Sequence, residues 1–99
     1  MAAQVETKQI FSESGEVLGE AEYQDGQLHG TCKHWYPDGQ LQEHSNFANG
    51  KLHGTYETWW SNGQPKERGT YRDGDKIGKY QWFKDDGSIW SEHEYTKAT

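Results

Sequence analysis

The chain has 99 residues, enough for one small hydrophobic core, which excludes a two-domain enzyme. Only 12 of the 99 are Leu, Ile, Val or Phe, yet 14 are aromatic, so the chain is expected to fold around rings with a thin core. A net charge of -6 and a mean hydropathy of -1.23 make phosphate backbones and anionic headgroups poor partners and favour a basic protein, so neither nucleic acid nor membrane binding is expected.

In chain order, the stretch from Gln4 to Phe11 reads as one edge of a sheet, and Ser14-Gly15 is the first turn signal. Asp25-Gly26, Asp38-Gly39, Asn49-Gly50, Asn62-Gly63, Asp73-Gly74 and Asp86-Gly87 follow at intervals of 11 to 13 residues. Both central residues of a type I′ hairpin turn need positive φ, which Gly takes freely and Asn or Asp tolerate, so each dipeptide predicts a two-residue hairpin. Strands of about eight or nine residues lie between them, the last running from Ser88 to Tyr95. No helix signal occurs.

The turn glycines and the rings keep one step. Phe11, Trp35, Trp59 and Phe83 are spaced by 24 residues, as are Tyr23, Phe47, Tyr71 and Tyr95. The fold class predicted is all-β: a single-layer antiparallel β-meander built from 24-residue two-strand repeats. One domain over 1–99 is expected, with the sheet over about 8–95, a flexible segment 1–7 and a tail 96–99.

Two-residue turns fix the register. Phe47 then faces Gly30, Tyr71 faces Gly54 and Tyr95 faces Gly78, each ring covering a strand glycine. One sheet face collects Tyr23, Leu28, Phe47, Leu52, Tyr56, Tyr71, Tyr80, Trp82 and Tyr95, with Tyr36, Leu41, Trp60 and Ile89 nearer the second turns, and is the expected core. The other face carries Lys33, His44, Glu57, Arg68, Lys79 and Glu92, and beside the second turns Phe11, Leu18, Trp35, Trp59, Phe83 and Trp90. Trp35, Trp59, Phe83 and Trp90 are therefore the candidate partner-binding stripe, flanked by Glu57, Asp85 and Glu92 to steer a basic partner. The bland alternative is that long neighbours such as Gln42 and Lys66 cover these rings and that they only stiffen the hairpins.

Catalytic and metal chemistry are not expected, and no cofactor is. His29 and His53 stand about 9.6 Å apart, two strands of 4.8 Å, too far to share a zinc. Cys32, His34 and Glu43 form the best available cluster, read as a core thiol beside a His-Glu pair. The lone Cys32 allows no internal disulfide, Met1 to Glu6 lacks a secretory pattern and no apolar run is long enough to span a bilayer, so a cytoplasmic location is expected.

The segments YQDGQLHG, FANGKLHG and YRDGDKIG, each followed by an aromatic stretch and a second turn (HWYPDG, TWWSNG, WFKDDG), resemble the bacterial MORN-repeat variant over roughly Gly15 to Tyr95. The resemblance implies a meandering antiparallel sheet, a protein-binding role and no catalytic residues. In bacteria such repeats are similar to those of YwqK-type antitoxin components and of immunity proteins paired with secreted polymorphic toxins. That implies an antitoxin that neutralises a cognate, basic toxin or effector domain. The alternatives are a carbohydrate or choline-type wall-binding module, since Gly-aromatic hairpins also build quaternary-ammonium cages, or a structural scaffold.

Overall fold

In the computed structural model, residues 3–96 are described and form one open antiparallel sheet. Its strands are β1 (Val5–Phe11), β2 (Val17–Gln24), β3 (Gln27–Trp35), β4 (Leu41–Ala48), β5 (Lys51–Leu52), β6 (Gly54–Trp59), β7 (Pro65–Arg72), β8 (Asp75–Phe83) and β9 (Ile89–Tyr95). They pair in chain order, β5 being a short piece that pairs with β4 ahead of β6. The extents are 44 × 43 × 13 Å, the dimensions of a single layer. The meander is as expected. Strand β1 takes in Val5 to Thr7, so the expected flexible segment 1–7 is strand over its last three residues; Met1, Ala2 and, in the tail, 97–99 lie outside the described residues.

The two turn families have different backbones, which corrects the uniform type I′ expectation. At Asp25-Gly26, Asn49-Gly50 and Asp73-Gly74 both residues have positive φ, Asp25 at 50° and Gly26 at 83° for example, as a type I′ turn requires. At the second turns only the glycine does: Gly39 has φ 92° and Asp38 does not share it. Gly39 N donates to Tyr36 O at 2.9 Å and Tyr36 N to Gln40 O at 2.8 Å, a type I turn with a three-residue loop closed by a left-handed glycine. Asp38, Asn62 and Asp86 stand there because each side chain accepts the backbone N–H two residues on, at 3.0, 2.9 and 2.8 Å.

Beyond the turns, the strands nonetheless take the expected register, because a one-residue bulge cancels the one-residue difference in the loop. Trp35 pairs with Leu41 and His34 with Glu43, leaving Gln42 as the extra residue; from there Gly30 meets Phe47 as expected. Leu18, Lys66 and Trp90 are the equivalent bulge residues. The bulge changes faces near the turns. Leu41 and Ile89, expected among the tyrosines, lie opposite Trp35 and Phe83 and share their face.

A second bulge lies near each type I′ turn. From Tyr23–Leu28 to Ala21–Cys32, β3 spends two residues more than β2, and Gly30 in that excess has φ 110°; Gly54 repeats it at 111°. The expected pairs Gly54–Tyr71 and Gly78–Tyr95 form, but the rings do not cover these glycines: a Cβ on Gly54 would meet Asn46 Cβ at 3.3 Å, and one on Gly30 would meet the Glu22 side chain. Glycine is needed here for its backbone.

The core is correspondingly thin. Among the described residues only Tyr80, fully buried, and Phe83, 8% exposed, are buried large hydrophobics. Tyr80 is the hub. It meets Tyr71 and Tyr95 edge-on at 5.9 and 6.1 Å and Trp82 at 4.8 Å, and its hydroxyl donates to Glu67.

Candidate partner-binding surfaces

The two faces differ in how far the chain satisfies its own rings. On the tyrosine face the chain's lysines already cap them. Lys76 Nζ stands 4.8 Å from the Tyr80 centroid, 5.5 Å from Trp82 and 5.7 Å from Tyr95, and Lys66 Nζ 4.7 Å from Trp60. Lys76 occupies the position that Leu28 and Leu52 hold in the preceding repeats. A cage that could take a quaternary ammonium is thus filled from within.

The opposite face carries a cross-strand polar row, Gln9, Glu20, Lys33, His44, Glu57, Arg68, Gln81 and Glu92, each directly opposite the next. Two of the expected steering carboxylates are partnered within it. Arg68 Nε lies 3.5 Å from Glu57, and Glu92 accepts from Gln81 Nε2 at 3.0 Å with Lys79 Nζ at 3.9 Å. Asp85 lies exposed in the last turn, its carbonyl accepting from Asn62 Nδ2 at 2.7 Å.

The expected aromatic stripe is only partly an open surface. Phe83 is buried, with the Arg68 guanidinium 5.7 Å from its centroid and Ile89 opposite, so its place among exposed rings is corrected. Trp90 is 70% exposed, but as a bulge residue it lines a depression with Trp82 and Ser91, beside the tyrosine cluster and away from Phe83. Trp35 and Trp59 are half-buried, Trp59 beside Leu41, Gln40 and Gly63.

Trp35 borders a shallow depression of about 600 Å³. Val17, Tyr36 and Pro37 supply its apolar lining, Glu16, Glu20 and Asp38 its charge, and no Lys or Arg lines it. Hydrogen bonds hold the carboxylates in place: Ser12 Oγ donates to Glu16 at 2.6 Å, Gln9 Nε2 to Glu20 at 2.9 Å and Gln40 Nε2 to Asp38 at 2.9 Å. Three carboxylates around an indole suit a lysine or arginine side chain, whose charge meets the acids while its stem lies on the ring. Glu16, Glu20 and Asp38 were not gathered as a site from the sequence, although alternation already puts Glu16 and Glu20 on the Trp35 face; what the bulge at Leu18 adds is Val17, which it brings opposite Phe11 on that face. The signal present was the pairing of Glu20 with Lys33, two residues from Trp35 on the same face.

The Cys32, His34 and Glu43 grouping is placed much as expected, with His34 Nδ1 3.8 Å from Glu43 and Cys32 opposite Ser45. Burial first, and then the Glu43 charge, push the Cys32 thiol up, away from the thiolate that a nucleophile or metal ligand needs. Among the described residues no three His, Cys, Asp or Glu come together as a metal site, and no helix is long and apolar enough to cross a membrane. His29 and His53 instead accept from the next turn, Asn49 N at 3.2 Å and Asp73 N at 3.3 Å.

Compared with known proteins, the chain matches the family profile described as MORN repeat variant over residues 28–49, 52–73 and 76–97. No curated protein and no solved structure matches it.

Proposed function

The chain belongs to the MORN repeat variant family, a repeat module often used in binding, and on that premise we propose that it is a protein-binding module for a partner with a basic surface. The observation that carries this reading is the depression beside Trp35, where Glu16, Glu20 and Asp38 gather around apolar side chains with no basic residue among the lining. The net charge of -6 supports it, because a long-range acidic field speeds encounter with a basic protein.

The finer proposal is an antitoxin or immunity protein of the YwqK type that occupies a bacterial toxin or effector domain and acts without catalysis. A toxin that works on nucleic acid is itself basic, and a thin sheet can cover a cleft entrance with little rearrangement. A choline-type wall-binding role is less favoured, since Lys76 already stands over Tyr80, Trp82 and Tyr95. The experiment is a pull-down from the native host with the folded chain as bait, followed by co-expression with the basic toxin domain so captured and titration of the purified pair. Restored growth and submicromolar binding are expected. Growth arrest that persists beside a stable complex would leave a binding module without an immunity role, and no complex at all would overturn the proposal.

A further inference from the structure

Both ends of the sheet present a strand with no partner among the described residues, β1 at one end and β9 at the other. The 24-residue repeat makes them complementary. Strand β1 is the equivalent of β3, β6 and β8, and β9 is the equivalent of β2, β4 and β7, so the neighbour that β9 lacks is a strand of the β1 kind. Both edges also expose apolar side chains: Val5 67%, Ile10 63% and Phe11 55% on β1, Ile89 52% and Trp90 70% on β9.

We propose that β9 of one copy pairs antiparallel with β1 of a second copy, continuing the repeat across the junction. The register is that of β4 with β6, where Glu43 meets Thr58 and His44 meets Glu57; shifted by two repeats, Ser91 meets Ile10 and Glu92 meets Gln9 of the second copy. Two residues further along, Glu94 meets Thr7. This pair reproduces a bond that the chain makes internally, because Glu94 and Thr7 are the repeat equivalents of Glu22 and Thr31. There the Glu22 carboxylate accepts the Thr31 backbone N–H at 2.7 Å and its hydroxyl at 2.9 Å. At the turn end Ile89 would meet Phe11, as Leu41 lies beside Trp59 within the sheet. Neither Glu92 nor Glu94 faces an acid across the junction, so the charge that usually protects an edge does not oppose this addition.

The backbone groups point the right way. Gln4 O accepts from Asp25 N toward β2, so by strand alternation the N–H and C=O of Thr7 and Gln9 point outward. Asn46 O accepts from His53 N on the β6 side, which places Glu94, its equivalent, with backbone groups facing out of β9. Thr7→Pro and Glu94→Pro therefore each block one edge without removing a hydrogen bond inside the sheet.

Such a junction is head-to-tail and does not close on two copies, so the mass of the full chain in solution should climb past the dimer with concentration. Sedimentation velocity tests it on the full chain and the two proline variants, with circular dichroism and melting as folding controls. Each folded variant alone should stay monomeric, and an equal mixture should form a one-to-one dimer and nothing larger. A monomeric full chain up to millimolar concentration would overturn the proposal. So would self-association of either variant alone, which would mean like edges or another surface meeting, or an equal mixture that stays monomeric. Should the prolines fail the folding controls, Thr7→Glu takes their place, since a carboxylate facing Glu94 should halve the mass at a given concentration, and an unchanged mass would count against the junction.

Discussion

The ring of Tyr80 lies flat over Gly69: a Cβ built on Gly69 would stand 2.0 Å from Tyr80 Cδ2 and 2.3 Å from Cε2. Here a ring does cover a strand glycine. It is the fully buried Tyr80, from the strand beside Gly69, and its neighbours Tyr71, Trp82 and Tyr95 are held through it. Gly69→Ala should therefore destabilise by about 3 kcal/mol, although strand propensity alone favours alanine over glycine. Thermal melting measures it, and in a double-mutant cycle the cost should shrink when Tyr80 is already Ala.

Gly54 stands for the other use of glycine. At φ 111° any β-carbon is strained, and Asn46 crowds the site at 3.3 Å, so Gly54→Val should cost about 1 to 3 kcal/mol. Tyr71→Ala should not relieve that cost in a double variant. Relief would mean that the ring of Tyr71 covers Gly54 after all.

Phe83 and Trp90 should separate cleanly on truncation. Phe83→Ala removes a buried ring and should cost about 3 kcal/mol, whereas Trp90→Ala should change stability by no more than about 0.5 kcal/mol. Urea denaturation of the two variants gives the comparison.

The pH limits of stability follow from two hydrogen-bonded groups. Burial, with the charges of Glu43 and Glu67, pushes Tyr56 up to about 12 from its ordinary 10, so the folded state holds this proton more tightly than the unfolded chain. Its contribution is full below pH 10 and is lost as pH rises towards 12. Tyr56→Phe should flatten that alkaline loss. On the acid side, the Thr31 backbone N–H and then its hydroxyl hold Glu22 below the usual carboxylate range. The Glu22 contribution is present above that range and is lost as pH falls through the lowered value, so Glu22→Gln should flatten the acid limb of a pH–melting profile.

Register and topology were legible because Gly, Asn, Asp and the rings recur every 24 residues, and a repeated step fixes pairing many times over. Turn type was legible in only three of the seven turns. Asp-Gly serves both Asp25-Gly26 and Asp38-Gly39, and what separates them is the residue before, Pro37, which suits the first central position of a type I turn, and the bulge at Gln42 that absorbs the longer loop. That bulge was invisible to a count of alternating residues, and with it went the faces of Leu41, Ile89 and Trp90. The Lys76 cap was missed for another reason: a lysine replacing a repeat leucine reads as polar, although its stem covers the rings and its ammonium lies over them.

The acidic depression beside Trp35 is tested most directly by the affinity of a variant that removes two of its carboxylate charges, Glu16→Gln with Glu20→Gln, for the basic partner domain. Glu16 accepts from the hydroxyls of Ser12 and Ser14 and Glu20 from the amide of Gln9, all at the exposed surface, and melting should barely change. Calorimetric titration at two salt concentrations is expected to show affinity lower by about 2 kcal/mol and a weaker dependence on salt than the unaltered chain. A folded double variant that binds with unchanged affinity and unchanged salt dependence would contradict a partner docking at this surface.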